Sequence, residues 1–289
     1  MRLVSWLRLD VYSASVVAVA MFIICAVAHR VRGKRARFVA AAAFEVGVVC
    51  ALFALWQVAN SLTRGHTVGG VDRGKWLWHA ERVIHMPNEK SVQDLIIHHS
   101  WLVRAANYFY DTAHLSLMVV FLVWLWLRHR DRYPLVRNTI AAFTAMSLLI
   151  QMIAVAPPRL IPGTGLIDTA QVYGQSVYAA FGSGIADEYA AMPSIHVGWA
   201  VLISIAIVTC SPSRWRWFGP LHGGLTIFVV VATANHYWLD GVAACLLLLP
   251  AWLTARGIER LRGRGRGRAD AGEAALDFEP VQIQQGAFS

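Results

Sequence analysis

Seven apolar runs, at roughly 11–29, 38–62, 108–127, 138–156, 194–210, 218–235 and 239–255, limit what this chain can fold into more than any other feature. A helix rises about 1.5 Å per residue, so about 20 apolar residues cross the ~30 Å hydrocarbon core of a bilayer. Within that core every backbone N–H and C=O must be bonded inside the protein, and a continuous apolar run does this as a helix. The expected fold is therefore all-α, a polytopic transmembrane bundle of six or seven spans. Composition agrees, with 57% hydrophobic and 15% charged residues against about 25% charged in soluble domains. The sixth run is the weakest, because Gly219, Pro220, Gly223 and Gly224 crowd its start.

The net charge of +9 invites a nucleic-acid reading, but the positions of the charges oppose it. They gather between the apolar runs: Arg30, Arg32, Lys34, Arg35 and Arg37; Arg128, Arg130, Arg132 and Arg137; Arg214 and Arg216; and the series from Arg256 to Arg268. These gaps alternate along the chain, so they share one face, and the positive-inside rule makes that face cytoplasmic. No nucleic-acid partner is expected. Arg2 and Arg8 fall on the wrong side of this arrangement. Ala26-Val27-Ala28 resembles a signal-peptide cleavage triplet, but the dense positive charge after it opposes export, so the first run reads as a retained span. The cysteines, Cys25, Cys50, Cys210 and Cys245, lie in apolar runs without metal-ligand spacing and read as buried small hydrophobes.

The opposite face receives two longer segments, 63–107 and 157–193. The first carries Trp76, Trp78 and Trp101 among charges, and part of 76–106 reads as a helix on the outer leaflet or as an ordinary loop. The second, with Pro157, Pro158, Pro162, Gly163, Gly165, Gly182 and Gly184, reads as irregular. Residues after about 269 read as a disordered tail.

Three short motifs carry chemistry, and the topology puts all of them on that outer face. Pro193-Ser194-Ile195-His196 opens the fifth span, with Pro193 suited to a first helical turn whose free N–H groups can seat a phosphate. His236 and Asp240 are four apart, so on a helix they share a face, and a carboxylate on one ring nitrogen leaves the other free to attack. Arg159, in Pro157-Pro158-Arg159-Leu160, can chelate two phosphate oxygens. Each alone has a bland alternative: a helix cap, a structural His–Asp pair, a headgroup contact. Their convergence on one face favours the chemical reading. Tyr110 and His114, also four apart, suit a contact with the headgroup or an interhelical hydrogen bond, and Glu45 reads as paired or snorkelling. No metal or cofactor is required, since arginine and helix N-termini supply positive charge. A transporter would instead need polar residues through the depth of the spans.

With these residues the chain resembles the type 2 phosphatidic acid phosphatase superfamily over roughly 76–250, and most closely the branch that includes inositol phosphorylceramide synthases. The resemblance implies His236 as nucleophile, Asp240 as its orienter and His196 as acid and base. It also implies Arg159 and Ser194 as phosphate holders, with Tyr110 and His114 as branch features near the substrate. It implies a lipid phosphate or phospholipid substrate and a site outside the cytoplasm in the plasma (inner) membrane. The division is then 1–75, an N-terminal transmembrane region; 76–256, the phosphatase/phosphotransferase-like membrane domain; and 257–289, a basic then disordered tail. The hydrolase pattern has a lysine where this chain has Met152, a proline where it has Leu160, and Ser-Arg where it has Val229 and Val230. Two cationic phosphate ligands are thus missing, which favours the synthase-like branch over phosphatidate hydrolysis.

Overall fold

The computed structural model describes residues 11–63, 67–175 and 188–276. Helices α1 (Val11–Arg30) and α2 (Lys34–Thr63) are followed by three shorter ones, α3 (Gly70–Val83), α4 (Glu89–Ile97) and α5 (Ser100–Tyr108). A π turn at Phe109–Ala113 joins α5 to α6 (His114–Arg128) as one rod, and α7 (Tyr133–Gln151) follows. A 3-10 turn at Pro158–Leu160 and the short α8 (Thr169–Val172) lead towards α9 (Ile195–Cys210). A second 3-10 turn, Arg214–Trp217, precedes α10 (Phe218–Ala232), and α11 (Trp238–Leu276) ends the described chain.

The chain is an all-α polytopic membrane bundle. Among the described residues five helical stretches are long and apolar enough to cross a membrane: α1, Lys34–Val58 of α2, Ser100–Arg128, α7 and Trp238–Gly263 of α11. The fifth and sixth apolar runs form the shorter α9, of 16 residues, and α10, of 15. The fourth run leaves the helix after Gln151, earlier than its hydropathy indicates, because the following backbone pairs with another loop described below. Helices α3, α4 and α5 occupy most of 76–106, so of the two readings of that segment the structure has helix, in three pieces, and not a loop.

Helix α9 is the hub. Phe143 of α7, Leu202 of α9, and Ala244, Leu248 and Ala251 of α11 share one apolar cluster. Met118, Phe121 and Leu125 of α6 meet Ile203 and Ala206 of α9 in another. Gly198 permits the α7 contact, since a Cβ there would lie 2.0 Å from Phe143 Cζ. Two of the glycines that weaken the sixth run as sequence serve packing: Gly219 and Gly223 lie against Ser204 of α9, whose Oγ donates to Gly219 O of α10 at 2.6 Å. Small residues let membrane helices approach closely. By the same logic Cys25 and Ala28 of α1 pack on Ala40 and Ala43 of α2.

Glu45 of α2 is ion-paired with Arg137 of α7, as one of its two sequence readings anticipated. Arg137 Nε donates to Asn138 Oδ1 at 3.2 Å, and Asn138 Nδ2 donates to Glu259 Oε1 of α11 at 2.6 Å. Three expectations are corrected. Helix α11 continues to Leu276, so 269–276 is helix; the tail beyond it, like Arg2, Arg8, Gly182 and Gly184, lies outside the described residues. Cys245 is exposed on the outer surface of α11 rather than buried, because only one stripe of that helix faces the bundle. Pro193 precedes the N-cap of α9 instead of lying in its first turn.

Candidate active site

Two loops zip together beside the start of α11. Val155 N donates to Tyr189 O at 2.6 Å and Ala191 N donates to Val155 O at 3.2 Å. Gln151 Nε2 fastens the second loop by donating to Ala190 O and Pro193 O, at 3.2 and 3.0 Å. Pro157 is extended and the next residues make a 3-10 turn, in which Arg159 N donates to Ala234 O at 3.0 Å. Ala234 itself has φ +54°, a left-handed conformation costing a non-glycine residue about 1 kcal/mol or more. That turn ends α10 and delivers Asn235 and His236 to the Arg159 side.

His236 is 5% exposed. Its Nδ1 lies 2.8 Å from Ala191 O and 3.3 Å from Asp240 Oδ2. Both oxygens accept, so Nδ1 carries the ring proton and Nε2 keeps its lone pair, an assignment made from the network. Nε2 is buried without a hydrogen-bond partner among the described residues. The orienting oxygen nearest the ring is thus a backbone carbonyl, with the carboxylate second. His236 sits in the loop before α11 and Asp240 in its first turn, so the pair spans a helix boundary rather than one helical face. Burial, and then the nearby Arg159 charge, lower the His236 pKa to about 4 despite the opposing Ala191 hydrogen bond, so the imidazole is neutral near pH 7.

Asp240 is fully buried; its Oδ2 also accepts from Tyr237 N at 2.9 Å, and its backbone O accepts from Ser194 N at 3.2 Å. Ser194 caps α9, its Oγ accepting from Val197 N at 3.3 Å, so its hydroxyl proton remains to be donated. His196, in the first turn of α9, has its ring centre 5.8 Å from that of His236. Tyr110, on the π turn, stacks on His196 at 4.3 Å and lies 6.3 Å from His236.

Arg159 is nearly buried. Its Nε donates to Asp168 Oδ2 at 3.1 Å, Nη1 donates to Asn235 Oδ1, and Nη2 is 3.8 Å from Glu188 Oε1. The sequence reading passed over Asn235 and Asp168. Asn235 stands directly before the histidine of the third motif and Asp168 nine residues beyond the arginine, but nothing local marks either as its partner. His114 occupies a different place from the headgroup contact considered above. It is 2% exposed, 5.2 Å from His196 and 5.4 Å from His222, ring centre to ring centre, so it packs behind His196. His222 went unnoticed in the sequence because it lies among glycines in the weakest run.

The fold and this cluster define a polytopic membrane protein with two neutral-capable histidines, a buried aspartate and a buried arginine converging at the ends of the helices. The model of the PAP2 superfamily matches residues 75–254. The chain belongs to the PAP2 superfamily, whose members are generally phosphatases, and membership suggests lipid phosphatase or phosphotransferase chemistry. No curated protein and no solved structure matches it.

Proposed function

We propose that this protein transfers a phosphoryl or phospho-headgroup from a lipid phosphate to a hydroxyl acceptor through a phosphohistidine at His236, without a metal. The observation that carries the reading is the fixed tautomer of His236. Nδ1 is occupied as a donor and Nε2 is left, buried and without a hydrogen bond among the described residues, beside His196. In the first step Nε2 attacks phosphorus; the N–P bond forms, the ester O–P bond breaks, and His196 gives a proton to the leaving oxygen. In the second, His196 takes the proton of the acceptor hydroxyl, whose oxygen displaces the histidine from phosphorus. Arg159 and the Ser194 hydroxyl hold the phosphate oxygens, Tyr110 flanks His196, and His114 acts from behind it.

Transfer is favoured over hydrolysis, and the synthase-like branch over the phosphatases, by the positions where the hydrolase pattern has Ser-Arg. Val229 packs with Ile96, Val103 and Ala106, and Val230 with Val197 and Val231, so those positions are apolar core. The reacting unit is 76–256, and its site faces outside the cytoplasm from the plasma (inner) membrane. The test uses the full chain in lipid nanodiscs, wild type beside His236→Ala, with phospholipids and polyprenyl phosphates as donors and inositol or sugars as acceptors. A phosphorylated acceptor made only by wild type is expected. Free phosphate alone would make it a phosphatase, and substrate transport by the mutant would make it a transporter.

A further inference from the structure

Helix α11 begins with an unusual cap. Tyr237 occupies its N-cap position, but its phenol oxygen is carried too far from the backbone to cap the first turn and donates instead to Ala156 O at 2.9 Å. Asp240, at the third position, reaches back to Tyr237 N, which is half of a capping box. The N–H of the second position, Leu239, is bonded from another helix altogether: it donates to Glu81 Oε1 of α3 at 2.8 Å. Glu81 is fully buried, and so is Glu89 at the start of α4. The two carboxyls are close enough to raise each other's cost of ionisation, and no hydrogen bond joins them among the described residues. Arg82 completes the group, with Nη1 at 3.0 Å from Glu89 and Nη2 at 3.6 Å from Glu81, its guanidinium lying 4.6 Å above the Trp78 ring.

We propose that Glu81 is a positioning residue for the phosphoryl transfer: held beside Arg82, which also pairs with Glu89, it supplies in trans the cap that sets the first turn of α11 and thereby the Asp240–His236 pair. This rests on the function proposed above. The residue after Leu239 is Asp240, so a shift of that turn moves the carboxylate that, with Ala191, holds His236 Nδ1–H. Buried acceptors at a helix N-terminus are favoured by the helix dipole as well as by the N–H itself.

The charges facing Glu81 come from three elements: Arg82 on its own helix, Glu89 on α4, and Asp240 and Tyr237 at α11. One guanidinium cannot balance three buried carboxylates. Burial first, then the neighbouring Glu89 carboxyl and the Asp240 charge, raise the Glu81 pKa to about 9 against the Leu239 bond. As pH rises through about 9 Glu81 ionises; the carboxylate accepts more strongly from Leu239 N, but its repulsion from Glu89 pushes α3 from α4 and displaces the cap.

The full chain in nanodiscs, labelled with 15N-histidine, tests this as wild type, Glu81→Gln and Glu81→Leu. The amide keeps an acceptor for Leu239 and a donor for Glu89. His236 is expected to show a single Nδ1–H tautomer in wild type and Glu81→Gln, and a mixture in Glu81→Leu. With phosphatidate and polyprenyl phosphate as probes, kcat should fall about tenfold or more in Glu81→Leu, with KM within about twofold. Glu81→Gln should keep kcat within about threefold and lack the alkaline fall near pH 9. A single tautomer in Glu81→Leu, or a Glu81→Gln variant as impaired as Glu81→Leu, overturns the inference. If Glu81→Leu does not fold, Glu89→Gln serves, since its amide can donate to ionised Glu81. It should stay active and lose the alkaline fall, and persistence of that fall overturns the inference. Absence of transfer by wild type would remove the proposed function, while the tautomer still decides the role of Glu81.

Discussion

Among the described residues two arginines are buried, Arg137 and Arg159, and their surroundings differ in kind. Arg137 belongs to a polar group in which α2, α7 and α11 are joined by Glu45, Asn138 and Glu259. Every member there has a partner on a helix. Arg159 sits among loop residues, Asp168, Asn235 and Glu188, and next to it His236 Nε2 and Asp240 Oδ1 are buried with no hydrogen bond among the described residues. Buried polar atoms are normally bonded, and one left over costs about 1–3 kcal/mol. The first group therefore holds helices together, whereas the second leaves polar atoms buried at an energetic disadvantage, and these are the atoms to which the proposed chemistry is assigned. The contrast teaches where to look for chemistry in a membrane bundle: burial of a charge is common to both, and unspent bonding capacity is not.

The largest effect should come from the atom that defines the second group. His236→Ala is expected to lower transfer by about four orders of magnitude or more, measured as initial rate in nanodiscs, with thermal stability retained. Substantial residual rate would make the leftover nitrogen structural and erase the contrast. Next, one substitution is made at both arginines. Arg159→Lys should lower kcat/KM about 100-fold, through loss of planar two-point phosphate binding, and leave the melting temperature nearly unchanged. Arg137→Lys should do the reverse, lowering the melting temperature with kcat/KM within about threefold, because Lys cannot serve Glu45 and Asn138 together. Equal effects at both sites would show that the two groups do one job.

How much of this was legible beforehand is best judged residue by residue. The apolar runs were readable because bilayer crossing imposes length and hydropathy locally. His196, His236, Asp240 and Arg159 were readable because each falls in a short motif, and the structure brings them together. Ala191 was not, since a backbone carbonyl has no sequence signature; its approach to His236 depends on the bridge between Val155 and Ala190. Glu81 and Glu89 looked like ordinary charges in a mixed segment, and only the return of α11 beside α3, more than 150 residues later, gives them a role. The split of 76–106 into three helices was hidden because these helices pack on loops and partners, not on one continuous apolar stripe.

Smaller effects sharpen the same comparison. Asp240→Asn should cost about 10- to 100-fold in kcat, less than the roughly 10⁴-fold seen when a sole orienting carboxylate is removed, because Ala191 O still holds Nδ1–H. A loss as large as that of His236→Ala would make the carboxylate, not the carbonyl, the dominant orienter. The pH profile should respond least near neutrality. His236 has its pKa lowered from 6.5 to about 4, so the neutral nucleophile persists as pH falls past 6 and is lost only through about pH 4. An acid limb of kcat/KM at pH 4 is the expected reading of the free enzyme, and a limb at 6.5 would mean an exposed, ordinary histidine.

The lengths of α9 and α10 have a further consequence, for depth. At about 1.5 Å per residue, helices of 16 and 15 residues reach about 24 and 22 Å, short of a ~30 Å hydrocarbon layer. The turn that joins them carries Arg214, Trp215, Arg216 and Trp217, with Trp215 and Trp217 each 61% exposed, an arrangement that anchors at a membrane–water boundary. With that end moored, the shortfall comes at the other, where His196 and His236 stand. On the proposed function the reacting centre would then lie several ångströms beneath the headgroup plane, which a spin label at Tyr189→Cys would register as oxygen access exceeding that of a water-soluble quencher. A phosphate must be drawn down to it, and a donor that brings its own hydrocarbon chain is better suited to that descent than one that arrives from water.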